Sequence, residues 1–144
     1  MKISNKALII FCIFLVLVID GNRKGIHQNP ELVSTINCMN CEYCNIIVYK
    51  KGSPDRMKLA LLLIEFCKEN KFDNIKFATD VRDYPSNLYL NVYLTEKDFE
   101  NGKQYMNIKY KMKNFTKNSN IRDNEENYQI FIDNELMIGE NIQI

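Results

Sequence analysis

Residues 45–55 read Asn45-Ile46-Ile47-Val48-Tyr49-Lys50-Lys51-Gly52-Ser53-Pro54-Asp55, and this stretch decides the fold class. Ile46 to Tyr49 is β-branched and aromatic, the composition of a buried strand. Lys50-Lys51-Gly52 turns the chain. Ser53-Pro54-Asp55 opens a helix: Ser accepts from exposed N–H groups, Pro fits the first helical position, and Asp suits the positive end of the dipole. The spacing predicts a helix over residues 54–70. Lys58, Glu65 and Glu69 fall on one stripe, while Ala60, Leu61, Leu63, Ile64 and Cys67 cover most of the remainder. Cys67 lies opposite Lys58 and is expected to face the core.

Downstream the period changes to two. Residues 74–79 (NIKFAT) and 88–94 (LYLNVYL) read as strands, and residues 95–104 as a charged loop. Residues 105–115 alternate: Met106, Ile108, Tyr110 and Met112 on one side, Asn107, Lys109, Lys111 and Lys113 on the other. Residues 117–127 are polar and are expected to be mobile. The end of the chain reads as a hairpin, 128–132 and 135–138, turning at Asp133-Asn134. The order β-α-β followed by strands predicts an α+β domain over residues 38–144, with one long helix packed on a mixed four- to six-stranded sheet.

Upstream, Lys2 and Lys6 precede an uninterrupted apolar run from Ala7 to Ile19, broken by Asp20-Gly21-Asn22. Thirteen helical residues span about 20 Å, short of a roughly 30 Å hydrocarbon core. Residues 1–21 are therefore expected to be a secretory signal peptide rather than a membrane anchor. Its loss leaves no stable membrane span and places the mature chain in an oxidising compartment, the endoplasmic reticulum lumen or the exterior. The terminal Asn141-Ile142-Gln143-Ile144 is no KDEL-type signal. The chain's 19 basic and 18 acidic residues fall to 17 of each without the segment. That balance favours neither nucleic acid nor an anionic membrane. Residues 22–37 are polar, contain Gly25 and Pro30, and read as a linker or arm. They hold His27, the sole histidine, so a catalytic triad or a His-based metal site lacks material.

The chemically loud feature is Cys38-Met39-Asn40-Cys41-Glu42-Tyr43-Cys44, with Cys67 further on. Without Cys12, four cysteines remain and allow three full pairings. Two structural disulfides among Cys38, Cys41, Cys44 and Cys67 are one reading. A redox-active pair, Cys38–Cys41 or Cys41–Cys44, is a second. A thiolate metal site and free thiols complete the set, and no metal or cofactor is expected. In the redox reading Cys38, Cys41 and Cys44 are the catalytic candidates, acting on a disulfide-bearing substrate. In the alternative the chain is a non-catalytic, disulfide-stapled domain that binds a protein partner. Position weighs against catalysis, because a reactive thiol gains most at a helix N-terminus, and residues 50–56 contain no cysteine. Asn114-Phe115-Thr116 is an N-glycosylation sequon, consistent with an exposed, lumenal Asn114, although in so Asn-rich a chain the triplet also arises by chance. Lys109, Lys111, Lys113 and Lys117 read as a solvated, edge-protecting face or as a site for an anionic partner. Asp80, Asp83 and Tyr84 read as a turn.

The stretch 46–54 resembles the strand–loop–helix opening of glutaredoxin and thioredoxin-like domains. Residues 128–139 (YQIFIDNELMIG) are similar to the closing hairpin of the selenoprotein W and T group, and residues 72–77 and 83–85 resemble the segment after the first helix in that group. The resemblance implies a thioredoxin-like fold with residues 45–49 pairing parallel to residues 74–79. It also implies thiol–disulfide chemistry, yet the family's redox pair falls on residues 48–51, which hold no cysteine, and no proline precedes the closing strand. A cystatin-like helix across a purely antiparallel meander is the alternative fold. The Q-x-V-x-G hairpin of cysteine-protease inhibitors is absent.

Overall fold

A computed structural model of the chain describes residues 29–79, 83–114, 119–123 and 125–138. The expected signal peptide (residues 1–21, with Cys12), residues 22–28, Asp80 and Lys117 lie outside the described residues. The strand expected at residues 45–49 begins earlier and is the second half of a hairpin. Strands β1 (Glu31–Cys38) and β2 (Cys41–Ile47) pair antiparallel through Met39-Asn40. Both turn residues are left-handed, with φ of 50° and 64°, the type I′ geometry whose twist suits a two-residue hairpin. The cysteines therefore belong to the hairpin and do not precede the strand. The end of the arm expected over residues 22–37 is likewise strand, from Glu31 onward. No apolar alternation announces it, because Leu32 is buried but Thr35 and Asn37 face a buried carboxylate, that of Glu42.

Helix α1 (Arg56–Lys68) follows. Asp55, not Ser53, is its N-cap: the Asp55 carboxylate accepts from the Lys58 N–H at 2.9 Å. Asn70 ends it in the left-handed region, φ 50°. The Asn70 and Lys71 N–H groups return to the Cys67 and Phe66 carbonyls at 3.2 and 3.0 Å, a Schellman closure. This makes the helix thirteen residues long, shorter than expected. Ala60, Leu63, Ile64 and Cys67 are buried as the periodicity predicts, joined by Leu59, whereas Leu61, expected on the buried side, is exposed together with Leu62.

Residues 74–79 form no strand. The Asn70 side chain takes the place of a neighbouring strand, accepting from the Phe77 N–H (2.9 Å) and donating to the Phe77 carbonyl (3.3 Å). Phe72 and Phe77 anchor the segment in the core. The parallel partner of β2 is instead β3 (Asn87–Tyr93), with Cys44 opposite Leu90. Helix α2 (Glu96–Glu100) comes next, where a loop was expected. Its cap is Thr95, whose hydroxyl accepts from the Asp98 N–H and donates to the Asp98 carboxylate, a variant of the capping box. Strands β4 (Met106–Met112), β5 (Tyr128–Ile132) and β6 (Glu135–Ile138) complete a six-stranded sheet in the order β1-β2-β3-β4-β5-β6.

The domain is thus α+β with a mixed sheet, parallel at β2–β3 and antiparallel elsewhere. The parallel pair removes the purely antiparallel, cystatin-like alternative. The β5–β6 hairpin turns at Asp133-Asn134 as predicted, again with two left-handed residues. Helix α1 covers one face, where Ile46, Leu88, Leu90, Val92, Ile108 and Ile130 form the centre of the core. The polar segment near residue 120 also contributes. Ile121 is fully buried, and its N–H donates to the Pro85 carbonyl at 2.9 Å.

Candidate functional site

Strand alternation sends the cysteines of the hairpin to opposite sides of the sheet. Cys38 and Cys41 are directly opposed in register at the end of the hairpin, Cys38 exposed and Cys41 half-buried. Directly opposed residues share a face, here the face away from α1. The Cys41 sulfur accepts from the Asn87 amide at 3.6 Å, and its S–H donates to the Met39 carbonyl at 3.8 Å. Cys44, three residues further, points the other way, because an odd offset along a strand reverses the face. It is buried, with Thr35 Oγ1 3.8 Å from its sulfur. Cys67 descends onto the same side from α1 and is fully buried in contact with Cys44. All four are free thiols, none at bonding distance from another.

Beside the inner pair lies Glu42, 1 % exposed. A buried carboxylate is costly unless its oxygens are satisfied. Thr35 Oγ1 donates to one oxygen, and Asn37 Nδ2 donates to the other at 2.8 Å. Burial pushes the Cys67 thiol well above its ordinary pKa, and contact with Cys44 and the Glu42 charge add to the effect. A thiol held in that form is a poor nucleophile. Of the expected catalytic set, Cys44 is thus set apart from Cys38 and Cys41 by the sheet itself.

Among the described residues no helix crosses the centre of the face away from α1, and its side chains are half-buried or exposed along β2 to β5 except Ile47. Register aligns one row across all six strands: Ile36, Tyr43, Tyr89, Lys109, Phe131 and Leu136. Ile36 is 68 % exposed and Tyr43 45 %. Tyr43 and Tyr89 stack at 4.7 Å, and the Lys111 ammonium lies 5.9 Å from the centre of the Phe131 ring. A second row is polar. Asn107 donates to Asn91 (3.0 Å), Asn91 to Asn45 (3.0 Å), and Asn45 to Ser34 (2.9 Å). This amide ladder crosses four strands. Composition alone, with nineteen asparagines in the chain, gave no hint of it. The period-two spacing of Asn45 with Tyr43, and of Asn91 with Tyr89, is the signal that locates it.

On the helix side, a cavity of about 150 Å³ opens between α1 and β4–β6, bordered by Leu61, Lys68, Tyr110, Glu125 and Ile138. The Lys68 ammonium bridges Glu65 at 2.9 Å and Glu125, and lies 5.3 Å over the Tyr110 ring. Burial disfavours this charge, but the two carboxylates outweigh it and hold the Lys68 pKa above the ordinary lysine range. Among the described residues the Tyr110 hydroxyl is the buried side-chain polar atom without a partner. Asn114 is exposed just beyond β4. Lys109 and Lys111 share the uncovered face as expected, Lys109 donating to the Asn134 side chain at 2.6 Å. No group of three or more Cys, His, Asp or Glu among the described residues is arranged to hold a metal. No helix among them is long and apolar enough to cross a membrane.

The chain matches no protein-family model, no characterised protein and no solved structure.

Proposed function

We propose that the chain is an exported, non-catalytic domain that binds a partner protein through the uncovered face of its sheet. One observation carries this reading: the in-register row from Ile36 to Leu136, apolar and aromatic but for Lys109. A contiguous apolar stripe on a water-facing surface marks an interaction site more often than a solvated face. Stacked tyrosines supply contact area at small entropic cost. Lys109 and Lys111 favour a partner whose apolar ridge is bordered by carboxylates. The test compares secreted, tagged chain carrying Tyr43→Ala with Phe131→Ala, or Lys109→Glu with Lys111→Glu, against the unsubstituted chain in co-purification. Loss of the same partner from both variants, with unchanged thermal midpoints, is the expected result. Retention by both overturns the reading.

The Cys38–Cys41 register favours a second reading, thiol–disulfide exchange. The exposed Cys38 thiolate attacks a substrate disulfide and forms a mixed disulfide. Cys41 then attacks the Cys38 sulfur, the substrate leaves as a dithiol, and the two electrons and two protons it gains come from the Cys38 and Cys41 thiols as they are oxidised to the Cys38–Cys41 disulfide. The parallel β2–α1–β3 unit and the β5–β6 hairpin are what support a thioredoxin-like affinity behind this reading. A pair titrating at about −180 to −250 mV in a glutathione series supports exchange, and one that resists reduction below about −300 mV excludes it.

A further inference from the structure

Four cysteines admit three complete pairings, and the sheet selects among them. Cys38 and Cys41 share the uncovered face at the hairpin end. Cys44 and Cys67 share the covered face, both buried in the same core cluster. We propose that, on oxidation, Cys44 and Cys67 form a buried disulfide that ties α1 to β2, while Cys38 and Cys41 remain as a separate, accessible pair.

The two alternative pairings each join Cys67 to Cys38 or Cys41, across the plane of the sheet. Between those sulfurs lies hydrogen-bonded backbone of β1, β2 and β3. Bridging across it requires the hairpin to flip its register by one residue, which would expose Ile46 and bury Tyr43. The Cys44 and Cys67 thiols need only rotate within the space they already share. Helix position reinforces the pairing. Cys67 lies in the last turn of α1, directly before the Schellman closure that fixes the helix end through Phe66 and Cys67 themselves.

Oxidation takes two S–H bonds to one S–S bond. The two electrons and two protons pass to a disulfide of the glutathione class, whose own S–S bond breaks to give two thiols. Both protein thiols are shielded from solvent once α1 has docked, so the bond forms during folding. The raised Cys67 pKa slows its later exchange in the folded state. Cys38, exposed, stays open to exchange. This pairing stands or falls independently of what the uncovered face binds.

The test folds the reduced, denatured full chain in a glutathione redox buffer, blocks remaining thiols, and digests after glutamate. Cleavage after Glu42 and Glu65 separates Cys38 with Cys41 from Cys44, and Cys44 from Cys67. The expected product is fragment 43–65 joined to fragment 66–69, lost on reduction. Cys67 joined to any cysteine other than Cys44, or recovered blocked as a free thiol from the folded protein, overturns the proposal. A Cys38→Ser/Cys41→Ser chain gives a second reading, because it keeps the same link if the pairing is correct and yields only blocked Cys67 if it is not.

Discussion

A chain folded with Cys44 joined to Cys67 carries a closed loop of about 24 residues into its unfolded state. In the chain-entropy account, closing a loop of that length lowers the unfolded ensemble's entropy enough to stabilise the fold by about 3.4 kcal/mol. The accessible Cys38–Cys41 pair encloses only its own turn and contributes less, so the comparison is made in the Cys38→Ser/Cys41→Ser background. Oxidised and reduced samples of that variant are unfolded in urea and followed by far-ultraviolet circular dichroism. With a denaturant slope of about 1.5 kcal/mol/M, the oxidised midpoint lies about 2 M higher. Because the two sulfurs already occupy neighbouring positions in the core, native-state strain takes little of that gain. Midpoints that agree within about 0.5 M refute the reasoning.

Other substitutions report on different parts of the structure. Leu63→Ala removes a fully buried side chain from the underside of α1 and is expected to cost about 3 kcal/mol by chemical denaturation. Asp133 accepts from the Asn107 N–H at 2.8 Å and pairs with Arg56. Burial opposes its charge, but those two contacts hold its pKa below the usual aspartate value. The stability it adds is present above pH 4 and is lost as pH falls through its folded pKa. Asp133→Asn, which keeps the left-handed turn, therefore flattens the acid limb of the stability–pH curve. Tyr49 donates to Glu31, and that bond, with burial and the Glu31 charge, raises its pKa to about 12. Its contribution is complete below pH 10 and disappears between about pH 10 and 12. Tyr49→Phe should remove that loss from a stability–pH titration.

How far the sequence could be read depended on whether hydrophobicity or polar pairing defines each element. The helix, the alternation of Met106 to Tyr110 and the Asp133-Asn134 turn were legible because apolar period and turn chemistry set them. Strand β1 was not, since its inward Thr35 and Asn37 serve the buried Glu42 carboxylate. The start of β2 was hidden for the same reason: buried Glu42 beside exposed Tyr43 inverts the usual pattern. Residues 74–79 have a strand's composition, yet the Asn70 side chain satisfies Phe77 in place of a neighbouring strand. Helix α2 was overlooked although Thr95 and Asp98 have capping-box spacing. The cysteines were visible as chemistry, but only the register of the hairpin divides them between two faces.

Site-specific photo-crosslinking on the full chain tests the central claim most directly. A benzophenone amino acid replaces Tyr43 or Phe131 on the uncovered face, or Glu69 at the end of α1 as the reference position. The account predicts one discrete adduct from positions 43 and 131, competed by excess unlabelled chain and lost when Lys109 and Lys111 are changed to Glu, with none from position 69. Adducts from position 69 alone, or equal labelling at all three positions, would contradict it.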